Sequence, residues 1–312
     1  MLDVLCRNVR CRTIAGWLAV TLLAGCQSGS TVSPVAGPSR TIDHAKGKTQ
    51  VPISPQRIVV LDTAALDASL ALGIKPVGTI VYGELPEYLG DQVDGIEIVG
   101  NGNEPNLETI LTLKPDLVLG SKIGTGKLYR QLSQIAPTVL TEGSGRSGDW
   151  PENLQLYAEA LGKPQAAEQL LQAYQYRVKQ LQTKLKEPQA IEISVLSTYS
   201  DRIGAYTTGS FSGSVLEDIG LARNSSQSAT WRYAVELSRE ALDTLDGDYL
   251  FFIYSPSFSD VTTSDFVADP IWSQLEAVKQ ERVCEVSGEV WAAGRSILAA
   301  QQILADVEEC LK

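Results

Sequence analysis

A passage that reads helix, then aspartate, then buried strand occurs twice in this chain, on either side of a long stretch with no strand signal. The first copy is "NLETILTLKPDLVL" over 106–119 and the second is "REALDTLDGDYLFF" over 239–252. Setting Glu108 against Glu240 also pairs Ile110 with Leu242, Thr112 with Thr244, Leu113 with Leu245 and Asp116 with Asp248. Val118 and Leu119 then meet Leu250 and Phe251. The passage sits once in each of two blocks, with a long helical stretch between them, a layout that points to a duplicated role in two similar halves.

Both halves alternate short apolar runs with helical patterns. "RIVVLD", "PVGTI", "IEIVG", "PDLVLG" and "PTVLT" in the first half, and "IEISVLS", "GDYLFFIY" and "ERVCEV" in the second, read as buried strands. Such alternation predicts two α/β lobes, each a mainly parallel sheet flanked by helices. Between them, "PENLQLYAEALG" and a helix starting at Pro164 carry no strand. The apolar stripe Leu170, Leu171, Tyr174, Val178, Leu181 and Leu185 runs along the second helix. Its length, about 33 Å, suits a rigid interlobe connector. The expected organisation is an N-terminal lobe over 51–150, the interlobe helical segment over 151–187 and a C-terminal lobe over 188–312.

The N-terminus has a different character. Arg7, Arg10 and Arg12 precede the apolar "TIAGWLAVTLLA", which ends in "LAGC" at Cys26. Residues 1–25 read as a lipoprotein signal peptide, with Cys26 lipidated as the new N-terminus. The Ser/Gly/Pro-rich stretch that follows reads as a flexible tether over 26–50. The protein is therefore expected outside the cytoplasmic membrane, lipid-anchored. Cys284 and Cys310 are then placed in an oxidising compartment, where a disulfide between them and two separate buried thiols both remain open.

Composition removes several functions. The net charge of −11, with no basic tract, argues against nucleic-acid binding. The sole histidine, His44, falls in the tether and is expected to be exposed. A His-clustered metal site, His-ligated haem and a Ser-His-Asp hydrolase therefore lack their central residue. "GSFSG" has phenylalanine where a nucleophile elbow needs serine, and "GTGKL" fails as a phosphate loop. The expectation is a non-enzyme with no cofactor and no direct metal ligation by the protein.

The order "PQRIVVLDTAALDASLALGIKPVG", "EPNLETILTLKPDLVLGS", long helix, "LSREALDTLDGDYLFF" and "DPIWSQLEAVKQERVCEVSGEVW" resembles the class III substrate-binding proteins of ABC importers. These are the ferric-siderophore, haem and cobalamin binders. The resemblance implies two α/β lobes, a ligand in the cleft between them, and small closure on binding. It also implies a monomer that docks on a permease dimer through one glutamate per lobe, which carries over to Glu108 and Glu240. Independently of it, Asn106 and Ser238 read as N-caps, so each glutamate sits in a first helical turn, where the helix dipole favours a carboxylate.

Loops near strand ends supply the candidate ligand contacts: Tyr82, Lys122, Trp150, Tyr199, Arg202, Tyr206, Trp231, Arg232, Tyr254, Trp291 and Arg295. Arginines suit an anionic ferric chelate, of hydroxamate or citrate type, and aromatic rings suit its organic body. Cobalamin and Tyr-ligated haem remain alternatives within the same fold. A lipid-anchored scaffold and an enzyme are the alternatives of a different class.

Overall fold

The computed structural model describes residues 37–102, 104–198, 202–254, 268 and 270–312. The signal peptide, Cys26 and Tyr199 lie outside these residues. Two six-stranded sheets form the body.

The N-terminal sheet contains β3 (Ile58–Val60), β4 (Gly78–Val81), β5 (Glu97–Asn101), β6 (Glu104–Pro105), β7 (Leu117–Ser121) and β8 (Thr138–Thr141). Their order is β6-β5-β4-β3-β7-β8, parallel except for the short β6. The central strand β3 is wholly buried, as its unbroken apolar run requires. Helices α1 (Thr63–Ala71), α2 (Leu107–Thr112), α3 (Lys122–Thr125) and α4 (Tyr129–Ile135) return the chain between strands. Asp62 caps α1 by accepting from the Ala65 amide at 2.7 Å.

The connector is two helices, α5 (Trp150–Leu161) and α6 (Pro164–Leu185), the second 22 residues long and opening at Pro164. Tyr174, Val178 and Leu181 form its buried stripe.

The C-terminal sheet holds β9 (Glu192–Thr198), β10 (Ile203–Tyr206), β11 (Ala222–Arg223), β12 (Ala234–Leu237), β13 (Tyr249–Tyr254) and β14 (Val283–Ser287). β9, β13 and β14 are parallel, and β10 runs antiparallel between β9 and β12. Helices α7 (Phe211–Ile219), α8 (Glu276–Lys279), α9 (Gly288–Trp291) and α10 (Ile297–Cys310) complete this half. One apolar core runs from Val60 and Leu119 through Trp150 and Tyr174 to Phe251, Trp291 and Ile303, so the two halves share packing.

The repeated passage has a shared structural duty. The Asp116 carboxylate accepts from the Gln56 and Arg57 amides at 2.7 and 2.9 Å, and its own amide donates to the Arg57 carbonyl. The Asp248 carboxylate accepts from the Glu192 amide at 2.8 Å, and its amide donates to the Glu192 carbonyl. Each aspartate thus clasps the entry of the central strand beside it, β3 in one half and β9 in the other.

Two expectations need correction. The tether does not extend to residue 50, because β1 (Ser39–His44) and β2 (Gly47–Pro52) form an antiparallel hairpin. Its inward positions are Ile42, His44 and Val51, an alternation sufficient to pin a hairpin although the stretch is polar overall. His44 is consequently buried rather than exposed. Its Nδ1 accepts from the Leu140 amide at 3.3 Å and its Nε2 lies 2.8 Å from the Thr49 hydroxyl. Burial holds its pKa below the ordinary histidine value, so the ring is neutral at physiological pH.

Cys284 on β14 and Cys310 at the end of α10 form a disulfide, their Cα atoms 6.0 Å apart. The bridge closes a loop of 26 residues. Its removal as Cys284→Ala/Cys310→Ala is expected to cost about 3 kcal/mol in chemical denaturation. A loss under about 1 kcal/mol would show that helix packing alone holds α10.

Candidate functional site

The crevice lies between the halves, at the carboxyl ends of the parallel strands. Two adjoining cavities occupy it. The smaller, of 220 Å³, is lined by α1, the ends of β4 and the α9–α10 loop. The larger, of 870 Å³, reaches over the ends of β7 and β8. Tyr82, Arg146, Tyr233 and Arg295 line both and form the wall between them.

These four side chains cross the crevice in pairs. Tyr82 follows β4 in the N-terminal half, and the Arg295 guanidinium from the C-terminal half stands 5.8 Å from its ring centre. Arg146 follows β8 in the N-terminal half and stands 4.9 Å from the ring centre of Tyr233, in the C-terminal half. Each half therefore contributes one arginine and one tyrosine, and each arginine faces the other half's ring.

Backbone packing fixes the arrangement. Gly145 has φ +75°, and a Cβ there would meet the Arg295 carbonyl oxygen at 2.4 Å, so only glycine permits this approach. The Phe211 amide donates to the Arg146 carbonyl at 2.8 Å, tying the same loop to α7. On the opposite side, the Asp67 carboxylate accepts from the Leu298 and Ala299 amides at 2.9 and 3.0 Å and from the Tyr88 hydroxyl at 3.1 Å. A residue of α1 thus caps α10 and holds the loop that carries Arg295.

The electrostatics are unbalanced. Arg295 is only 7% exposed, and its Nε has no hydrogen-bond partner. Burial, then the neighbouring Arg146 charge, lowers its pKa, while Asp62 opposes that shift. Two guanidiniums facing one cavity, one of them buried and under-bonded, make a site for an anion. Among the described residues no group of three or more His, Cys, Asp or Glu is placed to hold a metal.

Of the residues expected at the ligand, Tyr82, Tyr206 and Arg295 line the smaller cavity. Trp150 and Trp291 do not reach it, which corrects that expectation. Trp150 is 1% exposed and packs edge-on against Tyr174 and Phe211. Trp291 stacks on Phe251 with ring centres 4.6 Å apart and donates its Nε1 proton to Asp306 at 2.7 Å. Lys122 and Arg202 are drawn into exposed ion pairs with Glu142 and Glu236 and do not line either cavity. Trp231 is 75% exposed with the Arg232 guanidinium 3.5 Å from its ring centre, and Tyr254 ends β13; Trp231, Arg232 and Tyr254 line neither of these cavities. Sequence reading missed Arg146 and Tyr233. The signal available was a lone arginine in the Gly/Ser-rich loop directly after β8, and a tyrosine two positions beyond Trp231.

Glu108 stands in the first turn of α2, capped as expected by the Asn106 side chain, which accepts from the Glu108 and Thr109 amides. Glu240 stands in the first turn of a 3-10 helix over Arg239–Leu245, where Ser238 hydrogen-bonds the glutamate itself and so lowers its pKa. Both glutamates are exposed.

This architecture, two α/β halves closing on a crevice with a helical connector, is that of a substrate-binding protein. Residues 58–289 match the family of periplasmic binding proteins, and the chain belongs to that family. It is 34% identical to the probable siderophore-binding lipoprotein YfiY of Bacillus subtilis, over 93% of this chain and 94% of the relative. It is 33% identical to the achromobactin-binding periplasmic protein of Dickeya dadantii, over 81% and 85%. Among solved structures, Staphylococcus aureus SirA complexed with staphyloferrin B superimposes with a TM-score of 0.76 and 31% identity, covering 87% of this chain and 98% of SirA.

Proposed function

We propose that this protein is a lipid-anchored extracytoplasmic receptor. It captures an anionic ferric siderophore, of citrate or hydroxamate type, and presents it to an ABC permease. The observation that carries the reading is the crossed Arg146–Tyr233 and Arg295–Tyr82 wall, with the Arg295 Nε buried and unsatisfied. The names of the relatives, which bind siderophores, agree with it. No bond is made or broken: the guanidiniums neutralise the chelate, the rings exclude water, and the shared core limits closure. Cys26 carries the lipid, and Glu108 with Glu240 dock on the permease.

Fluorescence tests the binding reading. Trp150, Trp272 and Trp291 are buried, whereas Trp231 is exposed two residues before the cavity-lining Tyr233, so Trp231 should report ligand entry. Titration with ferric citrate, a ferric hydroxamate, haem and cobalamin is expected to give saturable quenching by one ferric chelate below micromolar concentration. Most of that signal should vanish in Trp231→Phe. Response to haem or cobalamin alone would replace the substrate. For docking, Glu108→Ala/Glu240→Ala is expected to bind the chelate normally and to reduce cellular iron uptake at least about tenfold, as loss of two charge-assisted contacts implies. Unchanged uptake would remove both glutamates from the permease contact.

A further inference from the structure

The smaller cavity carries a second, opposite charge. Glu84 and Glu289 line it, and neither lines the larger one. They share its lining with the apolar Leu66, Ile80 and Ala292, whereas Arg146 and Arg295 line both cavities. Among the described residues neither forms an ion pair. Glu289 is held in place, since its carboxylate accepts from the Glu87 amide at 2.6 Å. Burial, and the like charges of Glu87 and Glu84, push its pKa up, with no cation of the protein pulling it back. A carboxylate kept at a recessed, uncompensated position is a binding group for a positive charge. The unpartnered Nε of the nine-tenths buried Arg295, on the wall of the same cavity, marks this space as one that a ligand fills.

We infer that the ligand is zwitterionic: a carboxylate-rich ferric chelate with a protonated amine, which seats between Glu84 and Glu289 while the carboxylates meet Arg146 and Arg295. The inference rests on the siderophore reading above and narrows it. A wholly anionic chelate such as ferric citrate would turn charge toward the two glutamates and lose affinity there. An amine-bearing chelate satisfies both ends of the cavity, and charge complementarity fixes its orientation.

The test uses two synthetic ferric chelates built from linked α-hydroxycarboxylates, identical except that one carries a free primary amine and the other its N-acetyl form. The purified protein is expected to bind the amine form about tenfold more tightly, the order of one charge-assisted hydrogen bond. In Glu84→Gln/Glu289→Gln that preference should fall toward unity. Glu84→Gln alone, at an exposed position that folding tolerates, should show a partial loss. Equal binding of the two chelates by the unaltered protein would overturn the amine subsite and leave the siderophore reading intact. A preference that survives in the double variant would also overturn it. Binding of neither chelate at micromolar concentration would overturn the carboxylate-rich ligand and the amine subsite with it, and leave the hydroxamate form of the siderophore reading to the titration above.

Discussion

Arg295→Met combined with Arg146→Ala is expected to weaken binding of the ferric chelate by at least about a hundredfold, since removing the partners of a desolvated charge costs about 2–5 kcal/mol. The same change should raise the melting temperature of the empty protein. In the empty crevice Arg295 is buried, its Nε is unsatisfied, and Arg146 repels it. Methionine fills the same volume without that desolvation. Opposite movements of affinity and stability are what a functional, strained residue produces. A structural arginine would give a lower melting temperature and unchanged affinity, and calorimetry with and without ligand separates the two.

The second large effect lies at Asp67. Its carboxylate is fully buried and accepts from two amides at the start of α10 and from the Tyr88 hydroxyl. Asp67→Ala leaves these donors without an acceptor and should destabilise the fold by about 3 kcal/mol or more. It should also weaken ligand binding, because the cap holds the loop that carries Arg295. The pH dependence is specific. Burial raises the Asp67 pKa from 3.8 to about 6 despite these hydrogen bonds. The folded state therefore binds this proton more tightly than the unfolded state does. The protonation-linked part of its stability increases as pH falls from about 6 toward 3.8 and is absent above that window, where the hydrogen bonds alone remain. At about 1.4 kcal/mol per pH unit, the gain approaches 3 kcal/mol. Asp67→Asn cannot titrate, so the stability difference between it and the unaltered protein should shift by that amount between pH 7 and pH 4. A constant difference across that range would show that Asp67 does not titrate there.

Much of the fold was legible because it rests on periodic signals. The buried runs of β3, β7, β9 and β13 and the strandless 22-residue α6 are long enough to read from apolar spacing. The repeated aspartates were visible as a repeat, although their shared work on the entries to β3 and β9 needed the backbone to be seen. The β1–β2 hairpin escaped because only Ile42, His44 and Val51 turn inward in a stretch otherwise polar enough to pass for a tether. The site was legible in part. Arg295 and Tyr82 follow recognisable elements and line the crevice cavities as expected of them, whereas Arg146 sits in a Gly/Ser loop whose course no periodicity dictates. Trp150 and Trp291 misled for a physical reason. Both occupy helix ends near the crevice, where a large ring can turn either way, and here partners on α6, α7 and β13 draw each ring into the core.

The most direct measurement is the position of iron in crystals grown with the ferric chelate, located by anomalous scattering at the iron edge. The account predicts a single strong peak in the crevice bounded by Tyr82, Arg146, Tyr233 and Arg295. A peak outside that crevice, or on an exposed acidic surface such as that of Glu285 and Glu309, would contradict it.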